Sequence, residues 1–146
     1  MPDYWDASAI LKLYAAEDDS EYFLNLTSAL DKPIFSSAIA ATEILCALFR
    51  KETEGVFKAG LAKVTYQRFR SDCETGRILL VPYGGDVLEE VERIVRIAST
   101  PRRPVMILSL DLIHLATALV TKSTVLVATD NRLRTLGSRF KLKLLP

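Results

Sequence analysis

The chain has little with which to staple itself shut or to hold a soft metal. Only two cysteines, Cys46 and Cys73, occur in 146 residues, far apart and with no histidine nearby in sequence. That usage excludes a zinc framework and makes a reducing, cytoplasmic setting the default. Histidine is scarcer still, with His114 the single copy. An excess of charge of either sign is also missing, since 19 basic and 18 acidic residues leave a net charge of +1. A strongly basic nucleic-acid binder is therefore excluded, and any polyanion has to be met by a local patch or by metal ions. No apolar run approaches the roughly 20 residues that span a bilayer, so no membrane association is expected. The first residues carry Asp3 and Asp6 instead of a basic stretch, which argues against a signal peptide.

What remains is a globular composition, 49% hydrophobic and 25% charged. Its length suits one domain, residues 1–146, with a sizeable core. Short apolar strands alternate with helices. Tyr4 and Trp5 form a strand that runs into Asp6, and Ser8 can cap a helix with Ile10, Leu11, Leu13 and Tyr14 on its apolar side. A helix over about 20–30 and a strand at 34–36 follow. Ser37 can cap a third helix over about 38–51, in whose apolar run Cys46 is expected to be core. Residues 54–76 are helical in period, closed by Gly76. The run 78–81 reads as a strand buried on both faces, and 86–98 as an amphipathic surface helix. A helix over 110–122 precedes the clearest strand, 124–128. A short basic helix, 132–136, is broken by Gly137, and 142–145 can form a last edge strand.

This alternation predicts an α/β chain in three layers, α/β/α, around a short, mostly parallel central sheet. Right-handed crossovers bring the C-terminal ends of parallel strands to one edge, where ligands bind. Asp6 and Asp130 each stand just after a strand, and Glu43 and Asp111 lie on helices that can point to the same edge. Each acid also has an ordinary explanation. Asp6 and Asp111 suit helix N-termini, and Glu43 can sit on the rim of an apolar face and point to water. His114, one helical turn from Asp111, reads as a packed, hydrogen-bonded residue. Four carboxylates in one crevice repel one another unless they share a cation. Hard ions such as Mg²⁺ take carboxylate, water and phosphate oxygens. Phosphodiester cleavage by a metal-activated water is the chemistry that follows most directly.

Four blocks then carry a family resemblance. They are Tyr4-Trp-Asp-Ala-Ser-Ala-Ile-Leu-Lys-Leu-Tyr14, Ser37-Ala-Ile-Ala-Ala-Thr-Glu-Ile-Leu-Cys-Ala-Leu48, Leu108-Ser-Leu-Asp-Leu-Ile-His-Leu-Ala-Thr-Ala118 and Ala128-Thr-Asp-Asn-Arg-Leu133. In this order they resemble the signature blocks of PIN domains, and a small domain of this length is most similar to VapC-type toxins. The resemblance implies an Mg²⁺- or Mn²⁺-dependent endoribonuclease with Asp6, Glu43, Asp111 and Asp130 as metal-binding acids. It gives Ser8 the role of fixing the first acid or a metal-bound water, and it implies a homodimer and a cognate antitoxin. Two positions depart from the pattern. Many members carry a hydroxyl residue where Ala128 stands, with Thr129 adjacent here instead, and some carry a further acid where Asn131 stands. The number of ions, one or two, stays open. Arg132, Arg134, Arg102 and Arg103 are candidates to hold flanking phosphates, against the alternative of solvated surface charge. Two other readings compete. One is a PIN-fold binding module acting through a protein or RNA partner without catalysis. The other is a metal-dependent phosphatase, for which no nucleophile motif is present.

Overall fold

A computed structural model of the chain describes residues 2–99 and 107–146. Strand β1 (Asp3–Trp5) is central. It lies between β2 (Ile34–Ser37) and β4 (Val125–Val127), with β3 (Ile78–Val81) and β5 (Lys143–Leu145) at the edges. Every pairing is parallel, and Tyr4 stands opposite Phe35 on one side and Leu126 on the other.

Side chains of successive strand residues point to opposite faces, and that alternation divides the core. Trp5 and Val127 pack beneath α1 (Ala7–Leu11), α2 (Ser20–Ser28), α3 (Ile39–Thr53) and α4 (Leu61–Glu74). Tyr4, Leu126 and Ala128 pack beneath α5 (Gly85–Ala98), α6 (Ser109–Val120) and α7 (Asn131–Ser138). Three layers result, as the alternation of elements predicts. The chain builds β1, β2 and β3 outward in one direction, then crosses back to place β4 and β5 on the other side of β1. The order reverses between β1 and β4, and a crevice opens at the carboxyl ends of strands at such a point. Among the described residues, no helix is long and apolar enough to cross a membrane.

Four local expectations are corrected. The 54–76 stretch is not one helix. Gly55 and Gly60 both take positive φ, 77° and 85°, and turn the chain before α4 begins at Leu61. Cys46 is exposed, because the buried stripe of α3 is Ala40, Ile44 and Leu48, and a residue two positions past Ile44 faces away from it. Strand β3 is an edge, so Leu79 is exposed where burial on both faces was expected.

Gly137, expected to break a helix, lies buried within α7. A Cβ there would come within 2.7 Å of a Leu126 methyl and 3.4 Å of one from Leu144. Leu126 is itself wholly buried and has no open space to yield. Helix propensity alone would favour Gly137→Ala by roughly 1 kcal/mol, but overpacking costs about 1–3 kcal/mol. The expected outcome is a net loss of about 1 kcal/mol, read as a drop of a few degrees in Tm. A higher Tm would show that the α7–β4 contact is looser than described.

Candidate active site

Asp6 follows β1 directly, and its backbone N–H donates to the Val127 carbonyl at 3.0 Å, so the ends of β1 and β4 are stitched together. The Asp6 side chain is the N-cap of α1 and accepts from the Ala9 N–H at 2.8 Å. Ser8 does not cap this helix as expected. Its hydroxyl donates to the Asp6 carboxylate, 2.8 and 2.7 Å from the two oxygens. Ser8 in turn accepts from the Thr129 hydroxyl at 2.8 Å. Thr129, Ser8 and Asp6 thus form a chain that orients the first acid from β4. Burial pushes the Asp6 carboxyl above its usual range and Glu43 adds to the shift, while His114, the Ala9 N–H and Ser8 pull it back.

Asp130 caps α7, and its Oδ1 accepts from the N–H groups of Arg132 and Leu133 at 2.8 and 3.2 Å. Its Oδ2 lies 3.6 Å from the Arg132 guanidinium. Asp111 sits in the first turn of α6, and its Oδ2 is buried with no hydrogen-bond partner. Burial raises the Asp111 carboxyl first, then the negative charges of Asp130 and Glu43, against the opposing charges of Arg132 and His114. Glu43 projects from α3, and its Oε1 lies 2.6 Å from His114 Nε2. The four acids therefore share one electrostatic neighbourhood, in which Asp6 feels Glu43, and Asp111 feels Glu43 and Asp130.

His114 is 2% exposed and does not pair with Asp111. Its second ring nitrogen, Nδ1, lies 2.6 Å from the Tyr4 hydroxyl. Tyr4 is the one residue of this cluster that sequence reasoning did not single out. It is separated from His114 by 110 positions, and strand alternation alone gives it only a core role. Its hydroxyl also accepts from the Ser37 N–H at 3.0 Å, and burial holds the phenol well above its ordinary pKa.

Of the four arginines considered for substrate, Arg132 stands beside Asp130 and within the field of Asp111. Arg134 is otherwise engaged. Its guanidinium donates to the carbonyls of Ala128 at 2.9 Å and Pro146 at 2.6 Å, which ties the ends of β4 and the chain terminus together. Arg102 and Arg103 lie outside the described residues.

The donor set suits a hard divalent cation, being all carboxylate with one buried oxygen unpartnered. Among the described residues, no three acidic, histidine or cysteine side chains are close enough to enclose an ion by themselves. The shifts at Asp6 and Asp111 have a signed consequence. Each carboxyl binds its proton more tightly when folded than when unfolded. Without metal, stability therefore falls as pH rises from the ordinary carboxylate value of about 4 through the raised folded value. In EDTA, Asp111→Asn is expected to have a higher Tm than the wild type at pH 7, with the gap closing towards pH 4. A lower Tm at pH 7 would show that the Asp111 charge is compensated within the protein.

No curated protein matches the chain in sequence. Its fold is similar to that of VapBC2 from Rickettsia felis, solved bound to a DNA fragment from the promoter. The TM-score is 0.71 at 14% identity, over 99% of this chain and 98% of that one. It is also similar to FitAcB from Neisseria gonorrhoeae, with TM-score 0.67 at 15% identity over 98% and 96% of the two chains. VapBC-1 from nontypeable Haemophilus influenzae gives 0.67 at 14% identity over 99% and 97%. At such identities the likeness is one of fold. The PIN domain model matches residues 4–138, and by that match over nearly its whole length the chain belongs to the PIN domain family.

Proposed function

We propose that the chain is a metal-dependent endoribonuclease, a single PIN domain over 1–146 acting as the toxin of a type II toxin–antitoxin pair. The observation that supports this reading is the electrostatic coupling of Asp6 with Glu43, and of Asp111 with Glu43 and Asp130, near the point where the strand order of a PIN-type sheet reverses, in a protein with almost no net charge. The toxin assignment is supported by the VapBC complexes that the fold resembles. A cognate antitoxin, a homodimeric assembly and a cytoplasmic setting belong to the same reading.

Asp6, Glu43, Asp111 and Asp130 would hold Mg²⁺ or Mn²⁺. Such an ion, when bound, supplies activation of water and neutralisation of charge on the scissile phosphate. The protein's own part is orientation and charge. Ser8 and Thr129 fix the rotamer of Asp6, so its oxygens are set before substrate arrives. The α7 N-terminus fixes Asp130. Arg132, beside Asp130, would take a phosphate next to the cleaved bond, at the cost of its weak pairing with Asp130.

The test is cleavage of a mixed RNA by the purified chain in Mg²⁺ or Mn²⁺, beside the same reaction in EDTA. Cutting that EDTA abolishes is the expected result. Cutting that persists in EDTA would refute the metal dependence. RNA left intact in every condition, by a protein that still binds RNA or a protein partner, would favour the binding-module reading.

A further inference from the structure

Glu43, His114, Tyr4 and Ser37 form a hydrogen-bonded line from the acidic cluster into the sheet. Each link carries a single proton, so its direction can be worked out. The Tyr4 oxygen already accepts from the Ser37 N–H, and its one hydroxyl proton has His114 Nδ1 as an acceptor 2.6 Å away. That leaves Nδ1 as a lone pair. In the neutral imidazole the remaining ring proton must then be on Nε2, where the Glu43 carboxylate accepts it, again at 2.6 Å, and in the charged form Nε2 donates to Glu43 as well. The opposite tautomer would aim a lone pair at a carboxylate. The Tyr4 ring meets the imidazole edge-on, centroids 5.9 Å apart, and holds its plane.

We propose that His114 is a positioning residue for Glu43. Locked by Tyr4 as the Nε2–H tautomer, it takes up Glu43 Oε1 and leaves Oε2 as the one oxygen this acid offers to a divalent cation. The proposal rests on the reading of Glu43 as a metal-holding acid, and it deepens that reading by naming the group that aims it. Partners of this kind, one step removed from the ion, commonly contribute 10–100-fold to metal affinity.

Two measurements on the full chain test it. The first is the ¹⁵N spectrum of the single histidine without metal. A protonated Nε2 and a lone-pair Nδ1 are expected, and Tyr4→Phe, which removes only the hydroxyl, should keep the Nε2–H form, because the Glu43 carboxylate still accepts that proton, while loosening the ring and quickening exchange of the proton with water. An Nδ1–H form in the wild type, with Nε2 unprotonated, overturns the proposal. The second is Mn²⁺ affinity by electron paramagnetic resonance. His114→Leu should weaken binding about 10–100-fold. His114→Gln, whose amide nitrogen can stand where Nε2 stands, should recover most of that loss. Wild-type affinity in a folded His114→Leu protein overturns the positioning role, and if that variant does not fold, Tyr4→Phe with unchanged affinity does so. A wild type that binds no Mn²⁺ refutes the metal reading itself. The tautomer result would then still decide whether His114 is locked against Glu43.

Discussion

Asp6→Asn is expected to reduce metal-dependent RNA cleavage by on the order of 10³-fold or more, the scale seen when a central charged group is removed from a site that works as a unit. The fold should survive, and the reason is local. Asp6 caps α1 through one oxygen, and asparagine caps a helix as well as aspartate does. The amide also stays within reach of Ser8. What is lost is a negative charge that is 4% exposed and faces Glu43. Removing a desolvated charge from a cluster of acids relieves repulsion. The variant should therefore melt no lower than the wild type in EDTA, and Mn²⁺ should raise the Tm of the wild type only. An Asp6→Asn protein that is folded and still cuts at wild-type rate would remove Asp6 from the chemistry. A variant that cuts poorly because it is unfolded would show instead that its role is the cap.

Trp5→Ala is expected to be the most damaging change to stability. Trp5 is the last residue of the central strand, is wholly buried, and meets Phe23 edge-to-face with centroids 6.0 Å apart. Truncating a buried tryptophan costs about 3–5 kcal/mol, a large part of the 5–15 kcal/mol that holds a typical domain together. A fall in Tm on the order of 10 °C or more follows for a chain of this length. Because Asp6 is the next residue, the same change should weaken divalent-ion binding, whereas Phe23→Ala should lower stability and spare the affinity. Trp5→Phe is the informative contrast. The indole N–H of Trp5 is buried without a partner, a penalty of about 1–3 kcal/mol that phenylalanine removes. Trp5→Phe should cost far less than Trp5→Ala, and equal losses would mean that the indole N–H is satisfied after all.

These two positions also mark what a sequence can and cannot convey. The strands ending at Asp6 and near Asp130 were legible, because a short apolar run followed by an acid and a helix is a local pattern. So was the layering, since alternation of strands and helices is enough to fix it. The turn at 54–60 was marked by Gly55 and Gly60, but helical period across the whole stretch hid it. Cys46 was misplaced although the stripe Ala40, Ile44 and Leu48 in the same helix pointed the other way. Other features depend on contacts between distant residues and leave no local mark. The place of Gly137 is set by Leu126 and Leu144, which only the closed fold brings against it. Arg134 looked like a cation next to an acid, and only the return of β5 beside β4 brings it the Pro146 carbonyl. His114 sits one helical turn from Asp111, yet its partners come from α3 and β1, and no spacing within α6 could name them.

The central claim is that Asp6, Glu43, Asp111 and Asp130 together hold a divalent cation. The most direct measurement is anomalous scattering from crystals of the full chain grown with Mn²⁺. The account predicts manganese in the crevice between the ends of β1 and β4, with oxygens of Asp6 and Asp111 among its neighbours and Glu43 still held by His114. Manganese bound elsewhere, or a crevice that stays empty at saturating Mn²⁺ while the four carboxylates keep to their caps and hydrogen bonds, would contradict it.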